Sequence, residues 1–152
     1  MKTLLNANDK AEILSRLLSL REDSPRQWGK MTPHQMICHL SDSYLIAMGE
    51  REARWAGNFV TKTVFKFVAL SAPMKWPKGV KTGPAADQEQ NGTRPVDFDQ
   101  DQQRLRALIN RFTSEQRDFQ FAPHPIFGEM TVAEWMRWGY LHADHHFRQF
   151  GS

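Results

Sequence analysis

The sequence contains a single cysteine, Cys38, among its 152 residues. No internal disulfide can form, which excludes the small secreted scaffolds that disulfides hold together and fits a reducing compartment. Long apolar runs are also missing, because the longest lies near residues 67–74 and is far shorter than the ~20 residues of a membrane-spanning helix. The first eight residues lack the apolar region of a signal peptide. We therefore expect a cytoplasmic protein with no membrane partner.

Dense runs of one charge are absent as well. Lys and Arg number 20 against 17 Asp and Glu, so the net charge is only +3. A surface that binds nucleic acid usually needs a concentrated basic stripe, and none is present. Five lysines are instead spread over twenty positions: Lys62, Lys66, Lys75, Lys78 and Lys81. We interpret them first as a solvated rim and second as the lip of a pocket for an anion, and we expect no nucleic-acid partner.

What the sequence does have is the composition of a globular domain. Hydrophobic residues make up 40% and charged residues 24%, which is ordinary for a soluble chain and excludes general disorder. A chain of this length corresponds to about one domain. It can bury enough surface to fold without a disulfide or a structural metal. We expect a single domain over residues 1–152.

Two predicted helices begin with the same cap chemistry. Thr32 is a good N-cap, Pro33 follows at the first helical position, and Gln35 completes a capping box. Thr131 and Glu134 repeat this pattern at the start of the last helix, which we expect to reach residues 147–150. A first helix is predicted from residues 8–9 to 24–25, and a fourth from residue 97, each with apolar residues at three- and four-residue spacing.

Two segments are harder to assign. Residues 59–70 carry β-branched valines, yet Val64, Phe67 and Val68 also mark one helical face, and the helical context favours a helix. Residues 72–97 contain four prolines and three glycines, so we predict a long loop. That loop is either a functional lid or a surface excursion. The pattern as a whole predicts an all-α fold, an up-and-down four-helix bundle with an additional short helix and a long loop.

Three of the six histidines form a candidate metal site. His142 and His146 are four residues apart and therefore share a helical face, with Cβ atoms about 5–6 Å apart. They continue a face that begins with Trp135 and Trp138, which we expect to be buried. His39 borders the buried stripe of the second helix. Two imidazoles from one helix and one from another suit a metal site that keeps a position open.

Other polar residues are weaker candidates. Asp42, three residues after His39, could orient a ligand or act as a general base, although a plain structural role is the simpler interpretation. His145 is expected to lie behind the metal ligands or at the surface. His34 is expected to be exposed in the first turn of its helix, since a cation opposes the dipole there. Cys38 is expected to be a small buried hydrophobe.

Several motifs resemble the DinB-like superfamily, in particular a branch of unknown function. They are Trp28-Gly29-Lys30-Met31-Thr32-Pro33, Gln35-Met36, His39-Leu40, His124-Pro125, Phe127-Gly128, Glu134-Trp135, Tyr140, His142, His145-His146 and Arg148-Gln149-Phe150-Gly151. The resemblance implies a four-helix bundle that holds a divalent metal, often nickel or zinc, through three histidines. On this chain they map onto His39, His142 and His146.

The resemblance also suggests functions without selecting one. Relatives of this kind include metal-dependent hydrolases and enzymes that use low-molecular-weight thiols, and many are dimers. It therefore implies a small-molecule substrate, a low-molecular-weight thiol as a second candidate partner, and a homodimer. Three hypotheses stay open: a metal-dependent enzyme, a non-catalytic metal- or ligand-binding module, and a structural protein whose histidines are hydrogen-bonded in a dry core. A shared fold does not choose among them.

Overall fold

A computed structural model describes residues 1–54, 56–72 and 75–152. These residues form five α-helices: α1 (Ala7–Ser19), α2 (Pro33–Ala47), α3 (Lys66–Ser71), α4 (Phe98–Phe112) and α5 (Val132–Phe147). A π-helical turn, Thr61–Phe65, leads into α3, and 3₁₀ turns occupy Pro84–Ala86 and Arg148–Phe150. None of these residues forms a β-strand. The fold is therefore helical, as the sequence predicts, and no described helix has the length and apolar content that a membrane span requires.

The four longer helices contact one another in pairs. Helix α2 packs against both α4 and α5, and α1 also packs against α4 and α5. The short α3 lies against α5, and the 3₁₀ turn Pro84–Ala86 lies against α2. Helix α2 therefore has α4 on one side, α5 on another and a loop segment on a third, which leaves few of its residues in contact with water.

The capping boxes of α2 and α5 are present as predicted. Thr32 Oγ1 accepts from the backbone N–H of Gln35 at 3.1 Å, and the Gln35 side chain accepts from the Thr32 N–H at 2.9 Å. Thr131 and Glu134 do the same at 3.2 and 2.7 Å. The entry angle of each helix is thereby fixed by two reciprocal hydrogen bonds.

Helix α1 differs from its prediction at both ends. Its N-cap is Asn6, whose side chain accepts from the backbone N–H groups of Asn8 and Asp9, so the expected cap residues lie inside the helix. It ends at Ser19 rather than near residue 24, because Leu20 turns to an extended conformation and is buried there. The apolar spacing continued beyond the true end of the helix, which is why the pattern alone gave too long an element.

The core is aromatic where α2, α4 and α5 meet. Tyr44 lies edge-on against Phe112 with ring centroids 4.9 Å apart, and its hydroxyl donates to the carbonyl of Gly139 at 3.0 Å. A Cβ at Gly139 would lie 3.1 Å from the Phe112 ring and 2.8 Å from Leu4. Glycine at this position therefore lets α5 approach the aromatic cluster closely.

The segment before and within α3 is helical, as the sequence favoured. Its apolar face nevertheless points away from the rest of the protein: Val64 and Phe67 are exposed, and within α3 only Leu70 is buried. The expected loop 72–97 is irregular apart from one 3₁₀ turn, although Pro73 and Met74, and with them the end of the apolar run near 67–74, lie outside the described residues.

Candidate metal centre

Three histidine rings meet where α2 faces α5. Nε2 of His142 lies 3.2 Å from Nε2 of His39 and 3.1 Å from Nε2 of His146. Ligand nitrogens of all three residues lie within 4.8 Å of one another, a grouping that could hold a metal ion. The structure therefore brings together the trio that the sequence named, although their role as metal ligands stays a prediction.

The distances suit one ion shared by three imidazoles. Two nitrogens bound to a tetrahedral ion at 2.0–2.1 Å would lie about 3.3–3.4 Å apart. The two observed Nε2 separations are 3.2 and 3.1 Å. A shift of a few tenths of an ångström would accommodate an ion, so the donor set fits the predicted divalent metal.

Two of the rings are held by hydrogen bonds on their far side. His39 Nδ1 lies 2.9 Å from the carbonyl of Ala86, and His146 Nδ1 lies 2.7 Å from Oε1 of Gln149. Both acceptors are oxygens, so each Nδ1 carries the proton and each Nε2 presents a lone pair. This is the arrangement by which proteins orient metal-binding histidines.

The centre of the cluster therefore has more lone pairs than protons. His142 can donate from Nε2 to only one of its two neighbours, because a neutral imidazole carries one N–H. With the proton on His142 Nε2, one N–H faces two lone pairs, and with the proton on Nδ1, three lone pairs converge. In either case the buried Nδ1 of His142 has no hydrogen-bond partner in the described structure. A cation at the centre would engage all three Nε2 lone pairs at once.

Burial keeps the three rings neutral. The pKa of His39 is lowered, and the pKa values of His142 and His146 lie well below their ordinary value. Desolvation of the charged form is the main cause in each case, and for His142 the neighbouring histidines add repulsion. Neutral imidazole is the form that binds a metal, so the site needs no proton loss at neutral pH.

Ring packing positions His142, since its Nδ1 is buried and has no hydrogen-bond partner in the described structure. Trp138 lies on one side with ring centroids 4.8 Å apart, and Trp76 lies at 6.0 Å. The Trp76 indole N–H donates to the carbonyl of Ala69 at 2.8 Å, which ties the start of the long loop to α3. Tryptophan rings thus line the half-buried edge of the cluster.

A buried carboxylate, with its hydrogen bonds and ion pair, holds the loop that carries Ala86. The Asp42 carboxylate is fully buried and accepts from the Thr93 N–H and hydroxyl at 2.7 and 2.6 Å and from Gln88 at 3.3 Å. Arg51 lies 3.1 Å from the same carboxylate and donates to the carbonyl of Ala85 at 2.7 Å. We call these four side chains, Asp42, Arg51, Gln88 and Thr93, the loop anchor.

Asp42 therefore acts through the loop in this structure. Its oxygens contact the other three residues of the loop anchor, and the loop in turn presents the Ala86 carbonyl to His39. The contacts of Asp42 support this positioning role. The general-base role considered for Asp42 stays a prediction. Part of the 72–97 segment thus forms one wall of the site. This role is intermediate between a functional lid and a surface excursion, the two alternatives that the sequence left open.

Two other histidines are buried away from the trio, and for His34 this differs from expectation. His34 is buried rather than exposed, because its Nε2 lies 2.8 Å from Asp101 on α4. His124 is buried in its turn, where Nδ1 accepts from the N–H groups of Ile126 and Phe127 at 3.1 Å each. Burial also lowers the pKa of His124 to about 4. For His34, a partner on another helix overrides the local signal of the first helical turn.

His145 lies beside the trio without joining it. Its ring packs edge-on against Trp28 at 4.8 Å and against His146 at 5.2 Å, and burial lowers its pKa to about 4. Cys38 is buried, as expected. The sequence did not assign a role to Gln149, although its position three residues after His146 on one face was a usable signal. No signal pointed to the Ala86 carbonyl.

Two helices bring three neutral, inward-facing imidazoles together. The protein therefore belongs to the class of helical proteins with a candidate three-histidine metal site. The chain belongs to a family described as a protein of unknown function (DUF1569), whose sequence model matches residues 1–152. No curated protein and no solved structure matches it.

Proposed function

We propose that this protein is a metal-dependent enzyme acting on a small molecule, built as a DinB-like four-helix bundle around one divalent ion. His39, His142 and His146 hold the ion through Nε2. The observation that carries the proposal is the surplus of lone pairs where these nitrogens converge at 3.1–3.2 Å. Zinc and nickel both accept imidazole ligands, so the donor set supports either.

The chain's own residues support a reactive rather than a closed site. Structural zinc sites use four protein ligands, whereas three protein ligands leave a position for water or substrate. His142 is the partly exposed member of the trio, and Trp76 lies beside it at the start of the long loop. When bound, the ion would polarise a substrate oxygen or lower the pKa of a bound water or thiol.

The reaction class is proposed at the level of hydrolysis or thiol-dependent transfer. Both would use the same three ligands, and both would bring a small substrate to the side of His142. Lys78, whose ammonium lies 5.3 Å from the Trp28 ring, places a positive charge near the aromatic residues that flank His145. This charge supports an anionic substrate or an anionic low-molecular-weight thiol.

Elemental analysis of untagged protein, with and without His142→Ala, tests the proposal. We expect His142→Ala to lower the bound zinc or nickel by one ion per chain and to abolish the stabilisation that the metal gives against heating. His145→Gln is the matched control, because it removes a buried neighbouring histidine that is not a ligand. Equal metal content in wild type and His142→Ala would contradict the metal site.

Activity is tested on the same three proteins. Esters, amides and thiol conjugates are assayed with zinc- or nickel-loaded enzyme, and we expect turnover that His142→Ala loses and His145→Gln keeps.

Metal binding without turnover on any of these classes would favour the second candidate, a non-catalytic dimeric binding module. The observation that favours that candidate is the exposed apolar face of Val60, Val64 and Phe67. Sedimentation of wild type against Val64→Asp tests whether that face joins two copies.

A further inference from the structure

A second group of ligand side chains lies on the other side of α2. His34 and Cys38 are four residues apart on this helix, and Asp101 is in the first turn of α4. His34 Nε2 lies 2.8 Å from Oδ2 of Asp101, and the Cys38 sulfur lies 3.7 Å from the same oxygen. An imidazole, a thiol and a carboxylate therefore converge, with ligand atoms all within 4.8 Å of one another.

This group is separate from the three-histidine cluster. Neighbouring residues on a helix point about 100° apart, so Cys38 and His39 cannot bind the same ion. The structure shows the division directly, because Cys38 contacts Asp101 on α4 whereas His39 contacts His142 on α5. Loss of one site would leave the ligands of the other in place.

The surroundings resemble a supported ligand set. The other ring nitrogen of His34, Nδ1, lies 3.7 Å from a carboxylate oxygen of Glu22, and a carboxylate behind a histidine raises its strength as a ligand. The N–H of Val96 donates to Asp101 at 3.3 Å, which fixes the carboxylate. Cys38 is buried, while the side chains of His34 and Asp101 are 10% and 16% exposed. An ion can therefore reach the site from solvent past His34 and Asp101.

We propose that His34, Cys38 and Asp101 form a second site for a divalent cation that favours nitrogen and sulfur ligands, with zinc as the best match. Thiolate, imidazole and carboxylate are all zinc ligands, and three of them leave one position for water. Binding replaces the His34–Asp101 hydrogen bond with two bonds to the ion. The ring proton of His34 passes from Nε2 to Nδ1, which faces Glu22, and the thiol proton leaves to solvent. Magnesium and calcium are disfavoured because they prefer oxygen ligands.

Cobalt titration of the metal-free protein tests this site selectively. The three-histidine cluster contains no sulfur, so a thiolate-to-cobalt charge-transfer band in the near ultraviolet reports on Cys38 alone. We expect the wild type and His142→Ala to show this band, and we expect Cys38→Ser to lack it. Zinc analysis should give two ions per wild-type chain and one for either variant.

Two conservative variants protect the test against misfolding. Asp101→Asn keeps the side-chain shape but weakens the ligand, and it should shift the cobalt titration to higher concentration. Glu22→Gln removes only the charge behind His34 and should weaken cobalt binding about tenfold. Helical circular dichroism confirms that each variant is folded.

The outcomes separate the two sites. No sulfur band and one ion per wild-type chain, lost in His142→Ala, would overturn the second site while leaving the proposed function intact. A band that is unchanged in Asp101→Asn and Glu22→Gln, or that depends on protein concentration, would mean that the thiol binds cobalt between chains, and would also overturn it. Two ions with the expected losses would establish it.

Discussion

Gly29 shows how a residue without a side chain can position a proposed metal ligand. Its φ is +87°, and a Cβ there would lie 2.6 Å from Nε2 of Gln149, whose Oε1 faces Nδ1 of His146. An alanine would therefore be strained and would displace Gln149. We expect Gly29→Ala to lower the free energy of unfolding by about 1–3 kcal/mol and to weaken zinc binding about tenfold. Competition against a chromophoric chelator measures the affinity.

Gly79 provides a matched control for this change. Its φ is +79°, but no atom lies within 4 Å of a Cβ built there. Gly79→Ala should therefore carry a similar backbone strain without moving any side chain. We expect it to reduce stability and to leave zinc affinity unchanged. If both variants weaken zinc binding equally, the effect comes from general destabilisation and the proposed link through Gln149 is wrong.

Single residues were also where the sequence was most and least informative about the site. Helical spacing suffices to place His142 beside His146, because the separation of four residues fixes their common face. It could not reveal that the Ala86 carbonyl holds His39, since any residue supplies a carbonyl and only the path of the loop decides which one arrives. His34 likewise became buried through Asp101, a partner 67 positions away.

Among the larger elements, the loop anchor has the clearest consequence for the site. Asp42 is a buried carboxylate that receives hydrogen bonds from Thr93 and Gln88 and an ion pair from Arg51. Removing one partner of such a buried pair costs about 3–5 kcal/mol, because the other charge stays uncompensated. We expect Asp42→Asn to lower the free energy of unfolding by about that amount and to weaken zinc binding, as Ala86 no longer orients His39.

Thermal unfolding and chelator competition measure these two effects. Thr93→Val is the milder companion, because it removes one hydroxyl donor to Asp42 and leaves the charge pair intact. It should show the same loss of zinc affinity on a smaller scale, with less loss of stability. Asp118→Asn is the control for an exposed carboxylate paired with arginine, and we expect little change in either measurement. Full zinc affinity in a folded Asp42→Asn protein would contradict the proposed positioning.

Helix starts marked by a capping box were more predictable than helix faces. The capping boxes at Thr32 and Thr131 were confirmed because their hydrogen bonds are local and join residues three apart. The orientation of the segment around Val64 and Phe67 could not be inferred in this way, since periodicity defines a face without saying what it contacts. The end of α1 was missed for a related reason: Leu20 is buried after the helix has stopped, so its apolar character continues the pattern.

For the molecule as a whole, the buried histidines predict a dependence of stability on pH. Burial lowers the pKa of His124 to about 4, and the pKa values of the other buried rings are lowered too: His39, His142, His145 and His146. The unfolded chain therefore binds more protons than the folded chain below the ordinary histidine pKa of about 6.5. The contribution of these neutral histidines to the free energy of unfolding is fully present above that pH and is lost as the pH falls toward 4.

The measurement is the melting temperature of zinc-free protein between pH 7.5 and 4, a range that spans the ordinary histidine pKa and the lowered pKa of His124. The His124→Asn variant is the comparison. Asparagine does not titrate, and its side-chain oxygen can accept from the N–H groups of Ile126 and Phe127 as Nδ1 of His124 does. We expect the wild type to lose more stability than this variant as the pH falls from 6.5 to 4, because protonation places an N–H against two other donors. Parallel curves for the two proteins would show that His124 is not held neutral by the fold, and the acid sensitivity would then have to come from the rings around His142.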